Sequence, residues 1–405
     1  LDALVSPLDY FDLGTVMTSR GCPMHCTFCS STGMWGPRPR FHSVEYVLRE
    51  LETAVCRHGR RMLSIKDDTF TAHRSRTLAI CEGIRQRGLE FIWSCDTRVD
   101  CLDDDLLVAM RRAGCVRISL GVESGSPKVL KNIRKRISPE TVLASTRAAQ
   151  KVGLQVRYYM MAGNRGETLQ TFQQSLDLIA AARPNQFVFS QLHLYPGTEE
   201  FEIFRRQDLV YPEIFFQRDF LCLSCFAGAA GDERAIRDQL QRMEGVQNYR
   251  DYSVDERRAI LDRMPDLHLC HMDLARAWLR EGNPEAAELH LQRALCRGYF
   301  LPGLVYNLLA CICACRSNTA GVESNLERAA ACYPHRVVLE NQRRLDNWLV
   351  SGGRHSGMTL ALDPGDGWES ACICRQPEFP DLLDLEVGGF LNMAKGYQTT
   401  EMDTV

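Results

Sequence analysis

Three cysteines near the start of the chain have the spacing of an iron-sulfur ligand set. Cys22, Cys26 and Cys29 stand four and three residues apart. Three thiolates on one loop can hold three irons of a cubane cluster and leave the fourth iron without a protein ligand. An open iron of that kind can chelate the amino and carboxylate groups of a small molecule. The spacing therefore predicts a 4Fe-4S cluster with one coordination position open to a ligand.

A zinc knuckle is the alternative for the same cysteines, with His25 or a distant residue as the fourth ligand. Zinc sites usually pair their cysteines two by two, whereas these three form a single run. Three buried structural thiols would need no such spacing. We therefore prefer the cluster to both alternatives.

The elements that must position this loop alternate between short apolar runs and amphipathic stretches. That alternation predicts a parallel sheet with crossover helices. The predicted strands are residues 16–19, 62–66, 91–95, 116–120, 154–161 and 186–193. The expected fold class is α/β, a partial (βα)6 TIM-like barrel that is open on one side. The cysteine loop follows the first strand, at the end where such barrels place their active sites.

Polar residues recur directly after the later predicted strands. Asp67 and Asp68 follow the second strand, Arg98 follows the third, and Glu123 and Ser124 follow the fourth. Because the carboxyl ends of parallel barrel strands share one mouth, these side chains should meet near the cysteine loop.

Each of these residues also has a local alternative. An aspartate after a strand can cap the following helix, and Glu123 can be a solvated loop carboxylate. Arg98 can pair with Asp96 or Asp100 instead of binding a ligand carboxylate with both nitrogens. Glycines flank Glu123 and favour a close approach of the backbone to a ligand.

The segment from Ser19 to Cys29 resembles the signature of the radical S-adenosylmethionine superfamily, C-x-x-x-C-x-aromatic-C, with Phe28 as the aromatic residue. The resemblance implies that S-adenosylmethionine is the ligand of the open iron. An electron from the reduced cluster would then break a carbon-sulfur bond of the sulfonium and give a 5′-deoxyadenosyl radical. The chain is accordingly expected to be an enzyme.

The resemblance also implies a set of cofactor-binding residues around the barrel mouth. They are Phe28, Asp67, Asp68, Arg98, Glu123, Ser124 and Gly163. No residue is assigned a catalytic role. The sequence departs from the superfamily after the fifth strand, where relatives usually have Gly-x-Pro-Gly-Glu-Thr and this chain has Arg165 in place of proline.

The remainder of the chain is predicted to be helical, with an internal repeat. Residues 282–284 and 294–296 are echoed about 36 positions later by residues 317–319 and 330–332. This offset is close to the roughly 34-residue period of the tetratricopeptide repeat. The predicted organisation is a linker (1–15), the barrel (16–210), a helical connection (211–265), tetratricopeptide-like repeats (266–350) and a loosely ordered tail (351–405).

Other cysteines and histidines give weaker signals. A second cluster on Cys222, Cys225, Cys372 and Cys374 is one interpretation, and ordinary thiols are the other. The three cysteines of residues 308–315 are expected to pack inside the repeats.

Two histidines three residues apart, His268 and His271, share a predicted helix face. They either bind a metal ion or lie on the repeat surface, and we expect the surface.

The pattern from residue 4 to Thr198 most resembles the cobalamin-dependent class of the superfamily, the anaerobic ring-cyclase and hopanoid-modifying branch. That class includes methyltransferases acting on unactivated carbon. The chain itself has no Asp-x-His-x-x-Gly cobalamin signature. Cobalamin is therefore expected through a domain upstream of this chain, which starts at Leu1 and runs through Ser6 and Pro7 like a linker.

The composition of the chain excludes some classes of binding partner. A net charge of -3 gives no basic excess for nucleic acid, and no apolar run approaches the roughly 20 residues of a membrane span. Eighteen cysteines without a signal peptide indicate a reducing cytoplasm. The expected partners are a small-molecule substrate, an electron donor such as flavodoxin or ferredoxin, and a protein bound by the repeats.

Two alternative functions follow from the same residues. One is a radical oxidoreductase or cyclase that does not use cobalamin. The other is a repeat-based interaction protein whose barrel is a vestige.

Overall fold

The computed structural model describes residues 14–36, 38–216, 224–229, 231–243, 249–332, 336–350 and 360. These residues form two compact units. The first comprises residues 14–251 together with 262–264, and the second comprises 252–261 and the described residues from 265 onward. Most of the predicted linker and all but one residue of the predicted tail lie outside the described residues.

The first unit contains a seven-stranded sheet in which the first six strands, joined by five neighbouring pairs, run parallel. In sheet order the strands are β1 (Gly14–Val16), β4 (Met62–Ile65), β5 (Ile92–Thr97), β6 (Cys115–Glu123), β7 (Gln155–Ala162), β8 (Gln186–His193) and β9 (Ser224–Cys225). The predicted α/β partial barrel is therefore confirmed. Strand β9 is antiparallel to β8 and was not predicted, because two residues are too short to show a strand periodicity.

A separate two-stranded ribbon precedes and follows the cysteine loop. It pairs β2 (Ser19–Arg20) with β3 (Arg40–Phe41) in antiparallel register. The ribbon fixes both ends of the connection that carries the three cysteines.

Helices connect the strands of the first unit. They are α1 (Ser31–Trp35), α2 (Val44–Glu52), α3 (Arg74–Gln86), α4 (Asp104–Arg112), α5 (Pro127–Asn132), α6 (Pro139–Lys151), α7 (Leu169–Ala182), α8 (Glu199–Arg205) and α9 (Glu233–Met243). Side chains cap several of them in the expected way: the Ser43 hydroxyl accepts from the Tyr46 amide, and Ser138 caps α6 from a position just before a proline.

The central strands β4 and β5 are buried on both faces, as strands of a parallel sheet between crossover helices are. All four residues of β4 are buried, and Trp93 in β5 donates through its indole nitrogen to the Ala113 carbonyl at 2.8 Å. The turn before β6 requires glycine. Gly114 has a φ of 93°, and a Cβ there would come within 2.3 Å of the Phe91 carbonyl oxygen.

The second unit is helical. Its helices are α10 (Val254–Arg263, of which residues 262 and 263 belong to the first unit), α11 (His268–Arg280), α12 (Pro284–Cys296), α13 (Pro302–Cys315), α14 (Thr319–Cys332) and α15 (Arg336–Val350). Its core joins Leu291 of α12, Leu304 and Leu308 of α13, and Ala329 of α14. Helices of 13 and 14 residues joined by short loops agree with a helical repeat, and the tetratricopeptide assignment stays a prediction. None of the described helices combines the length and apolar character that a bilayer span requires.

Candidate metal centre

The three cysteines lie on the loop between β2 and α1, at the carboxyl end of the parallel strands. Cys22 and Cys26 are half-buried, Cys29 is exposed, and all three are free thiols. The Cys29 amide donates to the Cys26 carbonyl at 3.2 Å, so the second and third cysteines share one turn. The protein packed around the Cys29 sulfur raises the pKa of its thiol, although the residue also contacts solvent, and the charges of Cys26 and Cys22 raise it further. The three sulfur atoms therefore lie close enough to affect one another.

The donor set fits an iron-sulfur cluster. Free thiols are soft ligands of the kind that such clusters take. Among the described residues, no three Cys, His, Asp or Glu side chains converge as the ligands of a single metal ion do. A cubane takes each thiolate on a different iron atom. A cation also faces the set, because Arg98 Nη1 lies 4.0 Å from Cys26 Sγ, where it favours the thiolate form that a metal requires.

Asp67 anchors the entry to the cysteine loop. Its buried carboxylate accepts hydrogen bonds from the Thr18 and Ser19 amides at 2.6 and 3.0 Å, and from both hydroxyls at 2.5 and 2.6 Å. These four bonds fill the acceptor positions of the carboxylate. Asp67 thus holds the loop within the protein, and its predicted contact with the cofactor stays a prediction.

Asp68 holds the next part of the same loop. Its carboxylate accepts from the Gly21 amide at 2.8 Å, one residue before Cys22. Thr69 follows and lies 3.5 Å from the Cys22 sulfur through its hydroxyl. Asp68 is exposed, and its predicted contact with a ligand stays a prediction.

Arg98 makes one of the two local pairings considered for it, the one with Asp100. Its guanidinium binds both carboxylate oxygens of Asp100 at 2.9 Å and donates to the Lys135 carbonyl at 2.9 Å. The side chain is buried, so this pairing satisfies a charge that would otherwise be unfavourable. Asp100 therefore orients Arg98 toward Cys26, and binding of a ligand carboxylate by Arg98 is not tested.

Glu123 is paired with a lysine that sequence reasoning missed. Glu123 Oε1 lies 2.9 Å from Lys135 Nζ, and both side chains are largely buried at the mouth. Glu123 has a φ of 67°, and Arg134 and Arg136 on either side of the lysine have φ values of 52° and 56°. Three non-glycine residues with positive φ around the pair mark a backbone that the surrounding structure holds in a sparsely populated conformation. Lys135 belongs to no spacing motif, so no signal in the sequence identified it.

Ser124 and the glycine beside it face the protein. The Ser124 hydroxyl accepts from the Ser126 amide at 3.1 Å and lies 3.2 Å from the Ser175 hydroxyl of α7, with no exposed surface. A Cβ at Gly125 would lie 2.3 Å from the Gln174 carbonyl oxygen. The close approach predicted at this glycine is therefore to α7. Ser124 supports the loop, and its predicted contact with the cofactor stays a prediction.

Gly163 lies beneath the segment that contains β9. Its φ is 83°, its carbonyl accepts from the Ala227 amide at 2.7 Å, and a Cβ there would lie 2.9 Å from the Cys225 carbonyl oxygen. The glycine thus permits an approach by the chain itself, and a cofactor contact at its backbone stays a prediction.

Phe28 is partly buried in an apolar cluster. It packs with Leu130, Ile133 and Phe201, which connects the cysteine loop with α5 and α8. Its predicted contact with the cofactor also stays a prediction.

The buried carboxyl group of Glu167 should make the stability of the protein depend on pH. Burial raises its pKa to about 7, although the Gly163 and Asn164 amides donate to it, and its second oxygen has no hydrogen-bond partner in the described structure. Between the unfolded pKa and about 7, the native state holds a proton that the unfolded state releases. Stability should therefore fall by roughly 3 kcal/mol as pH rises through this window. Glu167→Gln should flatten that dependence, as urea denaturation at pH values below and above the window will measure.

The histidines of the second unit are held by their neighbours. His271 is buried, with one ring nitrogen 3.1 Å from His290 Nδ1 and the other 3.2 Å from the Pro265 carbonyl. The expectation that His271 lies on the repeat surface is therefore wrong, because these two partners satisfy its ring inside the unit. The His268 ring packs edge-on against Tyr299.

The predictions for the other cysteines have different outcomes. Cys222, Cys372 and Cys374 lie outside the described residues, and burial raises the pKa of the Cys225 thiol to about 12. A second cluster is therefore not tested. The three cysteines of α13 were expected to pack inside the repeats. Cys311 is buried as expected, whereas Cys313 is half-buried and Cys315 is exposed.

Comparison with known proteins defines the class. Residues 16–179 match the model of the radical SAM superfamily. Uncharacterized methyltransferase PH0819 of Pyrococcus horikoshii is 34% identical over 194 residues, covering 48% of this chain and 42% of the relative. The anaerobic magnesium-protoporphyrin IX monomethyl ester cyclase of Rubrivivax gelatinosus is 27% identical over 186 residues, covering 45% of this chain and 33% of the relative. The chain thus matches less than half the length of these curated relatives.

A solved structure supports the fold. The radical S-adenosylmethionine methyltransferase TsrM from Kitasatospora setae, with cobalamin and a [4Fe-4S] cluster bound, aligns with a TM-score of 0.51 at 18% identity, covering 72% of this chain and 64% of that one. Residues 16–179 of the present chain are a radical S-adenosylmethionine domain, as the resemblance of the segment from Ser19 to Cys29 implied. Its similarity to the ring-cyclase branch is also confirmed.

Proposed function

We propose that this chain is a radical S-adenosylmethionine enzyme that binds a 4Fe-4S cluster through Cys22, Cys26 and Cys29. The observation that carries the proposal is the set of three free thiols on one loop at the barrel mouth of a radical S-adenosylmethionine domain. When bound, the cluster supplies the electron that cleaves S-adenosylmethionine reductively to a 5′-deoxyadenosyl radical.

The residues around the thiols have distinct tasks in this proposal. Asp67 and Asp68 hold the loop through its backbone amides. Arg98 and Lys135 place two cations near Cys26, and both act to lower the pKa of its thiol against the larger effect of burial. They offset the negative charge that three thiolates concentrate in a half-buried loop.

Glu123→Gln tests the proposed ligand contact of that carboxylate. The cluster should assemble normally, whereas affinity for S-adenosylmethionine should fall by roughly 1 to 3 kcal/mol if a charged hydrogen bond to the ligand is lost. Equilibrium binding under anaerobic conditions measures the affinity, and iron content measures the cluster. Glu202→Gln, which alters an exposed pair with Arg205, is the control. Unchanged affinity in Glu123→Gln would return this residue to a purely structural pairing with Lys135.

We further propose that the reaction is a cobalamin-dependent methylation or a related functionalisation of a carbon-hydrogen bond in a small molecule. Support comes from a relative named as a methyltransferase and from a structural neighbour that contains cobalamin. Cobalamin would be supplied by a domain outside this chain. The electron donor would be a flavodoxin or ferredoxin in the cytoplasm, and the helical unit would bind a protein partner.

A cyclase or oxidoreductase that does not use cobalamin is the second candidate. A relative named as a cyclase supports cyclisation, and the chain has no Asp-x-His-x-x-Gly signature of its own. The test is to express the complete natural protein anaerobically and to measure bound corrin together with 5′-deoxyadenosine formation. Bound corrin and a methylated product support methylation. A protein that forms 5′-deoxyadenosine without corrin favours the cyclase or oxidoreductase. A protein that loads no iron overturns the radical enzyme itself.

A further inference from the structure

A buried carboxylate lies directly beneath the cysteine loop. Glu200 of α8 has no exposed surface, and its Oε1 accepts from the Thr27 hydroxyl at 2.7 Å. In the opposite direction, the Glu200 amide donates to the Thr27 carbonyl at 3.2 Å. Thr27 stands between Cys26 and Cys29, so these two bonds hold the part of the loop that carries the second and third thiols.

The cation that compensates Glu200 is Arg165. Its Nε lies 3.3 Å from both carboxylate oxygens and its Nη2 lies 3.2 Å from Oε1. Arg165 is itself fixed by Asn132, whose carbonyl accepts from Nη2 at 2.9 Å and whose amide donates to the Arg165 carbonyl at 2.9 Å. A carboxylate removed from water is unfavourable unless a cation and hydrogen bonds satisfy it. Arg165 provides both.

Arg165 also stands at the position where the superfamily pattern has proline. A proline has no side-chain donor and could not compensate a buried carboxylate. The departure noted in the sequence is thus connected, through Glu200, to the loop that defines the superfamily. Neither residue belongs to the cysteine motif or to the residues predicted from it.

We infer that Arg165 is a positioning residue for the cluster loop, acting through Glu200 and Thr27 to set where Cys26 and Cys29 stand. The inference rests on the proposed function for its purpose, since a loop needs such placement when its thiols must meet separate irons. The placement itself is a property of the protein before any cluster is bound.

Three variants separate the effect of the Arg165 charge from the effect of its hydrogen-bond geometry with Glu200. Arg165→Gln leaves the buried Glu200 charge without its cation and should free the loop. Adding Glu200→Gln removes that uncompensated charge and keeps a side chain that can accept from Thr27, so the double variant should recover. Arg165→Lys keeps the charge and loses the two-nitrogen geometry, so it should fall between them. Arg205→Gln, which breaks an exposed arginine-glutamate pair on the same helix, is the control.

Hydrogen exchange of the full chain without cluster measures the loop directly. We expect Arg165→Gln to speed exchange of the amides at 22–29 at least tenfold while amides of β4 and β5 stay at the wild-type rate. The double variant should return to within threefold of wild type, and Arg205→Gln should match wild type. Iron content and the electron paramagnetic resonance spectrum of the reduced, loaded proteins should follow the same order.

Unchanged loop exchange in Arg165→Gln would overturn the inference. Acceleration spread evenly over the barrel, or a double variant no better than the single one, would also overturn it. If Arg165→Gln fails to fold, the comparison of Arg165→Lys with the double variant decides by the same criteria. Exchange of the cluster-free chain does not depend on the proposed function, whose own failure shows as wild-type protein that loads no iron.

Discussion

Replacing any one of Cys22, Cys26 and Cys29 with alanine is expected to abolish both the cluster and the cleavage of S-adenosylmethionine. Two remaining thiolates cannot hold three irons and leave one defined iron open. The loop itself should survive, because Asp67 and Asp68 hold it through backbone amides that the substitutions leave in place. Iron and sulfide analysis, the visible spectrum and an assay for 5′-deoxyadenosine measure the loss.

The matched control for this series is Cys56→Ser. Cys56 is an exposed free thiol in the turn of residues Thr53–Arg57 that extends α2, away from any proposed ligand. It should load iron and form 5′-deoxyadenosine like the wild type. Three alanine variants that keep both the spectrum and the product would refute the ligand assignment.

Asp67→Asn is expected to have the largest effect among substitutions that leave the thiols intact. One carboxylate oxygen accepts from the amides of Thr18 and Ser19, and the other accepts from their hydroxyls. The substitution replaces one of these oxygens with an amide nitrogen, which cannot accept either pair of hydrogen bonds. Buried Arg76 would also lose a nearby negative charge that offsets the effect of its burial. We expect the free energy of unfolding to fall by about 2 to 4 kcal/mol and iron loading to fall with it.

Denaturant unfolding of the cluster-free chain measures this effect. Asp96→Asn is the control, since Asp96 also lies near the carboxyl end of a strand but makes a partly exposed pair with Lys66 at 3.7 Å. A pair of that kind contributes about 0 to 1 kcal/mol. Equal effects of the two substitutions would show that Asp67 does not anchor the loop.

Features carried by local sequence were predictable. The cysteine spacing can be recognised without knowledge of the fold. The six parallel strands were predicted from apolar runs between amphipathic stretches. The position of a side chain at the barrel mouth also followed from its place after a strand. The direction in which that side chain points did not follow.

The carboxylates show why direction was harder to predict. Asp67 follows β4 and Glu123 is the last residue of β6, yet the first accepts four hydrogen bonds from Thr18 and Ser19 while the second pairs with Lys135. These partners come from other elements, 12 to 49 residues away along the chain. No spacing rule connects such residues, because their contact exists only once the elements have packed. The contact between Glu200 and Thr27 could not be predicted from the sequence for the same reason.

The most direct test of the account is the electron paramagnetic resonance spectrum of the anaerobically loaded, reduced chain before and after addition of S-adenosylmethionine. The account predicts a spectrum of a reduced 4Fe-4S cluster that changes when the ligand is added, because the ligand occupies the iron that lacks a protein thiolate. It also predicts that incubation yields 5′-deoxyadenosine. A loaded cluster whose spectrum is unaffected by saturating S-adenosylmethionine, with no 5′-deoxyadenosine formed, would contradict it.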